Sequence, residues 1–227
     1  MNNKKITLSR SGMACLIAVA ILLVDQIIKI WVKTHMALGE DIRIADWFHI
    51  YFVENNGMAY GITFINKLVL SLLRIVAVCF IGVYIHRQAR AKAPWGYVAC
   101  LSMVMAGAAG NIFDSIFYGL CFSESDFYSV ASYMGFGNGY GSFLMGKVVD
   151  MFYFPIIRTT YPAWMPFKAG EPFIFFSPIF NFADACISVG VVALLLFYRN
   201  RLSQISFSLE FKKSKKENIS EQQEDEK

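Results

Sequence analysis

The stretch GMACLIAVAILLVDQIIKIWVK, residues 12–33, is an apolar run long enough to cross a lipid bilayer as a helix. Three further apolar runs follow, at about residues 68–84, 95–118 and 179–198. The composition agrees with this pattern, because 56% of the residues are hydrophobic, only 17% are charged and the mean hydropathy is +0.45. We therefore predict an all-α membrane protein with four transmembrane helices.

The basic residues indicate how these four spans are oriented. They cluster before the first span (Lys4, Lys5, Arg10), between the second and third (Arg87, Arg90, Lys92) and after the fourth (Arg199, Arg201, Lys212, Lys213, Lys215, Lys216). With four spans, all three clusters fall on one side of the membrane, which the positive-inside rule assigns to the cytoplasm. We therefore predict that both termini are cytoplasmic and that residues 34–66 and 119–178 form extracytoplasmic loops.

The two loops and the C-terminal tail differ in composition. Residues 34–66 alternate polar and apolar side chains, which predicts short strands or an amphipathic element on the outer leaflet. Residues 119–178 are rich in glycine and proline, which favours an extended irregular loop over a fifth span. Residues 1–198 then form one membrane domain, and the highly charged residues 199–227 are predicted to be a disordered cytoplasmic tail.

Charged and amide side chains inside the spans form a second pattern. Each charge there costs roughly 3 kcal/mol on insertion scales, so such residues need a physical reason. Asp25 and Lys29 are four residues apart and are predicted to form an ion pair. Two other pairs, Asn111 with Asp114 and Asn181 with Asp184, are three residues apart. The predicted topology places all three pairs at a similar depth, just below the outer surface.

Three interpretations of this polar layer remain open from the spacing alone. The groups can hold the bundle together through interhelical hydrogen bonds. Two converging carboxyl groups can share a proton and activate a water, as in aspartic proteases. The acids can also serve ion or proton transport, which predicts proton flux in liposomes and no cleavage products. Against transport, the layer lies at one end only, with no acidic relay towards the cytoplasm.

Other kinds of chemistry have little support in the sequence. His35, His49 and His86 are scattered without metal-ligand spacing, and no serine stands in a recognisable nucleophile turn. Gly107 and Gly110 are interpreted as small residues that allow close helix packing. The net charge of +4 is too small to argue for nucleic acid. We expect no metal site, no cofactor and no nucleic-acid partner.

Five motifs, taken together and in this order, resemble those of the lipoprotein signal peptidase (signal peptidase II) family. They are VDQIIK (24–29), NNGMAYG (55–61), GNIFD (110–114), GKVVDM (146–151) and FNFAD (180–184). In the second motif, Met58 and Tyr60 replace the family's usual residues. The resemblance covers about residues 24–198.

The resemblance implies an aspartic endopeptidase of the bacterial inner membrane with Asp150 and Asp184 as its catalytic dyad. It implies diacylglyceryl-modified prolipoproteins as substrates, cut on the periplasmic side just before the lipidated cysteine. We expect the protein to act as a monomer among membrane lipids. The residues that the resemblance assigns to support or substrate binding are Asp25, Lys29, Asn55, Gly57, Asn111, Asp114 and Asn181.

The sequence also departs from the family pattern. The family usually has an arginine directly after the aspartate of the third span, where this chain has Ser115. Serine cannot replace that charge, and the candidates to compensate for it are Arg74, Lys147 and Arg158. Ser115 is the one feature that favours a catalytically inactive scaffold, against which the intact dyad argues. In addition, residues 119–145 resemble an insertion, and residues 158–178 extend the loop before the fourth span.

Overall fold

Four long helices dominate the computed structural model, which describes residues 8–55, 67–165, 167, 168 and 170–225, with side chains through residue 203. They are α1 (Arg10–His35), α2 (Lys67–Arg90), α3 (Trp95–Cys121) and α4 (Phe182–Asp225). Each contains a stretch that is long and apolar enough to cross a membrane; in α4 it is Phe182–Ser203. The four helices lie where the sequence predicts spans, except that α4 begins three residues later than expected.

The helices pack around α3, which contacts each of the other three. Large apolar side chains on α1, α2 and α4 remain exposed, such as Leu16, Leu73, Phe80, Leu195 and Phe197. Exposed apolar residues in such numbers are unusual for a surface in water but are expected for helices that face lipid.

One end of the bundle gathers the start of α1, the α2–α3 connection and the end of the α4 span. Arg10 Nε donates to the carbonyl oxygen of Ala93 over 2.7 Å, and the Arg10 guanidinium lies 4.8 Å from the ring centre of Trp95. Arg201 lies 6.0 Å from the ring centre of Tyr97. The three segments with predicted basic clusters therefore share one end.

The opposite end carries an antiparallel sheet in the order β1-β2-β3-β6. Its strands are β1 (Asp41–Ala45), β2 (Phe48–Asn55), β3 (Val148–Tyr153) and β6 (Ile179–Phe180). A separate hairpin is formed by β4 (Ile157–Thr160) and β5 (Pro172–Phe175). The predicted strands in residues 34–66 are confirmed, whereas residues 119–178 are more ordered than predicted. The sequence predicts a loop here because glycines and prolines surround the run Val148–Tyr153, which is mostly apolar and buried and forms a strand.

The sheet is held to the bundle by one apolar cluster. Its buried members come from α1, β2, α3 and β3, with Met36 directly after α1 and Phe122 directly after α3: Val32, Met36, Phe52, Tyr118, Phe122, Val149 and Met151. Burial of such side chains is worth about 1.5–3 kcal/mol each, so the sheet is fixed on the ends of α1 and α3.

The predicted insertion, residues 119–145, joins this end through a buried ion pair. Lys33 Nζ of α1 lies 2.5 Å from Glu54 Oε1 of β2 and donates to Ser125 Oγ over 2.9 Å. The ring of Tyr140 covers the same ammonium, with its centre 5.2 Å away. Ser125 and Tyr140 therefore anchor the insertion to α1 and to the sheet.

The last helix extends into the charged tail. Helix α4 continues to Asp225, past non-helical backbone at Tyr198. Lysine and glutamate are good helix formers, so a charged segment can extend a helix without burying any surface.

Candidate active site

Asp150 lies in the middle of the sheet, on β3 and opposite Val53 of β2. It is 2% exposed. Asn181 Nδ2 donates to its Oδ1 over 2.6 Å, and the side-chain amide of Asn55 donates to its Oδ2. Both oxygens of this buried carboxyl are therefore held by amide donors, and its orientation is fixed.

Burial raises the pKa of Asp150 to about 8, and the negative charge of Asp184 adds to this rise. The hydrogen bond from Asn181 acts in the opposite direction but is the smaller effect. Asp150 is thus largely protonated at neutral pH, where an ordinary aspartate is ionised. A protonated carboxyl next to a second carboxyl is the arrangement that acid–base catalysis uses.

Asp184 lies in the first turn of α4, and Asn181 precedes that helix as its N-cap. The backbone N–H of Asp184 donates to Asn181 Oδ1 over 2.9 Å, and Asp184 Oδ2 accepts from the backbone N–H of Asn181 over 3.4 Å. This reciprocal pair is a capping box. Asn111 Nδ2 donates to Asp184 Oδ1 over 2.8 Å. Asp184 is only half-buried, and the start of a helix stabilises negative charge.

Lys29 is the centre of a buried charge cluster beside these two carboxyls. Its Nζ lies 3.0 Å from Asp25 Oδ2 and 2.8 Å from Asp114 Oδ2, and it donates to Asn111 Oδ1 over 2.9 Å. All three charged side chains are completely buried. The predicted Asp25–Lys29 ion pair is confirmed, and Lys29 also pairs with a second acid, Asp114.

Asp25 also contacts the start of α4, because its Oδ1 accepts from the backbone N–H of Ala183 over 3.0 Å. Two glycines of α3 make this approach possible. A Cβ on Gly110 would lie 2.7 Å from Asp25 Oδ2, and one on Gly107 would lie 2.4 Å from the carbonyl oxygen of Ala183. Both distances are too short for any side chain, which confirms the predicted close packing at these two positions.

Asp114 connects α3 to the strand that carries Asp150. Its Oδ1 accepts from Gln26 Nε2 over 2.8 Å, and its Oδ2 accepts from the backbone N–H of Val149 over 3.4 Å. Tyr118 holds Gln26 in turn, through a 3.0 Å hydrogen bond to Gln26 Oε1. Gln26 and Tyr118 are not among the site residues that the sequence predicts, because an uncharged polar side chain in a span gives only a weak signal.

The site therefore combines two carboxyls from different elements with amides and a lysine that hold them. Among the residues that the structure describes, no three His, Cys, Asp or Glu side chains are arranged to bind a metal ion. The described side chains alone provide an acid, Asp150, and a carboxylate in a more open position, Asp184. This arrangement suits the activation of a water molecule.

Comparison with known proteins places the chain in a family. The family described as signal peptidase (SPase) II matches residues 17–199, which is most of the chain. The chain belongs to the signal peptidase II family. A lipoprotein signal peptidase of Porphyromonas gingivalis is 50% identical over 186 residues, covering 82% of each chain. One from Amoebophilus asiaticus is 32% identical over 199 residues, covering 83% of this chain and 78% of that protein.

Two solved structures of bacterial membrane enzymes share the fold of this signal peptidase II. One has a TM-score of 0.56 at 22% identity, covering 85% of this chain and 91% of the other. The other has a TM-score of 0.53 at 23% identity, covering 82% and 91% respectively.

Ser115, which stands where the family usually has arginine, bonds within its own helix. Its hydroxyl donates to the carbonyl oxygen of Asn111 one turn earlier, over 3.0 Å, and the residue is buried in α3. Arg74 of α2 is half-buried, and Asp184 and Asp150 are among the acidic groups near it. This position favours Arg74 as the replacement for the missing arginine.

The other two candidate cations have different partners. Lys147 Nζ lies 3.0 Å from Glu124 Oε1 and 3.9 Å from Glu54 Oε2. Arg158 interacts with His49, with 3.3 Å between Nη2 and Nε2. Both therefore belong to the sheet and its loops.

The remaining residues assigned by resemblance lie on β2 and just after it. Asn55 ends β2 and contacts Asp150, as described above. Gly57 lies outside the described residues. The structure thus brings together Asp25, Lys29, Asn55, Asn111, Asp114, Asp150, Asn181 and Asp184.

Proposed function

We propose that this chain is an aspartic endopeptidase that removes signal peptides from lipid-modified prolipoproteins, with Asp150 and Asp184 as its catalytic dyad. The observation that carries the proposal is the difference between the two carboxyls. Asp150 is buried with a raised pKa, while Asp184 is more open, at the start of a helix. Lipoprotein signal peptidases are also among the relatives of the chain, at 50% and 32% identity.

The first chemical step uses these two states. Asp184, as a carboxylate, takes a proton from a water whose oxygen bonds to the scissile carbonyl carbon. Asp150 gives its proton to the carbonyl oxygen at the same time, so that a tetrahedral diol forms without a free oxyanion. Asn55 and Asn181 keep Asp150 in place during this transfer, since each holds one of its oxygens.

The second step returns both groups to their starting states. The proton on Asp184 passes to the peptide nitrogen, the carbon–nitrogen bond breaks, and one diol hydroxyl returns its proton to Asp150. The products are a free amine and a carboxylic acid, and the dyad is ready for another turnover. Asn111, which donates to Asp184, positions that carboxyl through both steps.

The orientation of the bundle supports a periplasmic site in the bacterial inner membrane. Arg10 and Arg201 lie at the end opposite the sheet, together with the connection between α2 and α3 that carries further basic residues. The positive-inside rule assigns that end, with both termini, to the cytoplasm. The dyad then lies at the periplasmic boundary. A diacylglyceryl group on the substrate cysteine would hold the scissile bond at this same depth, just before the cysteine.

Cleavage by the purified protein in detergent tests the proposal. The substrate is a diacylglyceryl-modified prolipoprotein, and the variants are Asp150→Asn and Asp184→Asn. We expect each to cleave about 1,000-fold more slowly or worse, because each removes one proton-transfer group. Asp46→Asn is the matched control, since this carboxylate is 84% exposed on the surface.

Two results would overturn parts of this proposal. Full cleavage by either dyad variant would place the active site elsewhere. Equal cleavage of the unlipidated prolipoprotein would remove the diacylglyceryl requirement while leaving the dyad in place. Thermal unfolding of each variant in detergent shows whether a loss of activity is a loss of folding.

A further inference from the structure

The β4–β5 hairpin lies mostly outside the packed core, although Arg158 of β4 contacts His49 of β2. Its strands pair from Ile157 with Phe175 to Thr160 with Pro172. All four residues of β4 and three of the four in β5 are exposed. A two-stranded hairpin without a covered face is only marginally stable in water. Something outside the chain's own described core is therefore expected to contact it.

The tip of this hairpin exposes its largest aromatic side chains. Trp164 is 79% exposed and Phe167 is 100% exposed. Phe167 also has a φ of 75°, which is uncommon for a bulky residue. The fully exposed ring of Phe167 leaves a large apolar surface available for contact.

The base of the hairpin is fixed at the level where a membrane span begins. Phe154, between β3 and β4, stacks on Phe180 of β6 with 5.7 Å between ring centres. Phe180 lies two residues before the first residue of α4, a helix apolar enough to span a membrane. Phe176, just after β5, is 43% exposed and also contacts Phe180. The base of the hairpin is thus joined by aromatic contacts to the segment where a span begins.

The chemistry of the exposed surface fits a lipid interface. Tryptophan and other aromatic residues are enriched where hydrocarbon meets headgroups. Alongside the exposed aromatics, the tip carries one cation, Lys168, whose Nζ lies 5.5 Å from the ring centre of Tyr161, and one acid, Glu171. A cation beside apolar rings matches a phosphate-bearing headgroup above acyl chains.

We propose that the β4–β5 hairpin is a membrane anchor, whose tip inserts Trp164 and Phe167 into the headgroup–acyl boundary of the leaflet nearest the dyad. Insertion is shallow, about 5–10 Å, as for other elements that lie in the interface plane. The hairpin then fixes the outer part of the sheet to the lipid, in addition to the spans. This proposal does not depend on the catalytic roles of Asp150 and Asp184.

Quenching of Trp164 fluorescence tests the anchor. The full chain carrying Trp31→Phe, Trp47→Phe and Trp95→Phe retains Trp164 as its single tryptophan. It is reconstituted into phosphatidylcholine and phosphatidylglycerol vesicles in which the acyl chains are brominated near the headgroup. We expect at least a two-fold loss of emission relative to unbrominated vesicles. Iodide in the buffer should quench Trp164 several-fold less than it quenches N-acetyltryptophanamide.

Two controls give this measurement its meaning. A variant that retains only Trp31, on the lipid-exposed last turns of α1, confirms that the bromines quench a membrane residue. Phe167→Asp in the single-Trp164 chain should reduce the bromine quenching at least two-fold, because a carboxylate at the tip opposes insertion.

Each alternative result overturns the anchor. Full iodide quenching without bromine quenching would place the tip in water. Protection from iodide without bromine quenching would mean that a protein covers the tip, either a second copy or a substrate chain. Unchanged bromine quenching after Phe167→Asp would mean that the tip of the hairpin is not the inserted element.

Discussion

Asn181 donates a hydrogen bond to Asp150 over 2.6 Å, so the residue that caps α4 also holds the carboxyl of the sheet. The same side chain accepts from the backbone of Asp184 and donates to Asn111. A single amide therefore connects both proposed catalytic carboxyls and the buried polar cluster behind them.

Substitution of Asn181 should separate its capping role from its role at Asp150. Serine is also a good N-cap, but it lacks the two amide hydrogens. We expect Asn181→Ser to reduce kcat about 10- to 100-fold, the equivalent of about two ordinary hydrogen bonds, with little change in thermal stability. Asn181→Ala should lose the same activity and about 1 kcal/mol of stability as well. Full activity in the serine variant would contradict the positioning role.

The raised pKa of Asp150 predicts a decline of activity in alkaline solution. Asp150 must carry a proton in the proposed first step, and it loses that proton as pH rises through about 8. We therefore expect kcat/KM for the lipidated substrate to fall above about pH 8, with an apparent pKa that belongs to the coupled dyad. Profiles that stay flat to pH 10, measured with a substrate that does not itself titrate there, would contradict this assignment.

The pH dependence of protein stability should also depend on the protonation of Asp150. Because the pKa of Asp150 is about 8 in the fold and near 3.8 in an unfolded chain, the folded state binds this proton more tightly. The stabilisation from the proton is complete below pH 4 and is lost as pH rises from about 4 to 8. We expect the Tm of the parent in detergent to fall over this range more than the Tm of Asp150→Asn, which carries no titrating carboxyl. Parallel curves for the two proteins would contradict it.

Removal of the buried lysine should be severely destabilising. Lys29→Met leaves Asp25 and Asp114, both completely buried, without their cation. Breaking a buried ion pair in this way costs about 3–5 kcal/mol. We expect a large fall in Tm in detergent, partly restored by adding Asp114→Asn. Arg43→Met is the control, because Arg43 pairs with Asp46 on the exposed surface and should change stability by less than about 0.5 kcal/mol.

The close contact at Gly110 predicts a sharp contrast between two glycine substitutions. Gly110→Ala would place a methyl group 2.7 Å from Asp25 Oδ2, so α3 or Asp25 must move. We expect a loss of at least 2 kcal/mol and of most activity, as for other overpacked buried sites. Gly82→Ala, on α2, meets only Met105 Sδ at 3.5 Å. It should be neutral or stabilising by up to about 1 kcal/mol, because alanine favours the helix. Thermal unfolding and substrate cleavage together distinguish the two.

Arg74 should be more important for cleavage than its place in a lipid-crossing helix suggests. Because Arg74 lies near both Asp150 and Asp184, Arg74→Gln should lower kcat/KM about 10-fold. Arg74→Lys should retain most of the activity. Arg87→Gln, in the last turn of the same helix, removes the same charge far from the dyad and should have no effect. Equal effects of the substitutions at Arg74 and Arg87 would mean that only total charge matters.

The sequence predicts much of this architecture, because lipid imposes simple rules. The four apolar runs predict four helices, which the structure contains. The four-residue spacing of Asp25 and Lys29 predicts an ion pair, which the structure also contains. The three-residue spacing of Asn181 and Asp184 suggests that both lie on one face of a helix, but the structure shows a different arrangement. Asn181 lies outside the helix, and the three-residue interval is that of a capping box.

Other parts of the site gave no such signal. Asp150 was selected only through family resemblance, since an aspartate in a loop region has no periodicity to reveal its burial. The apolar run Val148–Tyr153, between Gly146 and Pro155, was the one local indication of a central strand. Gln26 and Tyr118 were not selected because a neutral polar side chain costs little in a span, so its partner can be identified only from coordinates.

One aspartate of the dyad lies on a strand, and the other lies on a helix that begins more than thirty residues later in the sequence. This order has a consequence for biogenesis. Asp150 precedes the last span, whereas Asp184 arrives with it. Under the proposed function, a nascent chain that has inserted only α1, α2 and α3 is inactive, and the peptidase first works when the translocon releases α4 beside them. If the chain were divided between β4 and β5, each fragment would carry one aspartate of the dyad. Co-expression of the two fragments should then restore cleavage that neither fragment has alone.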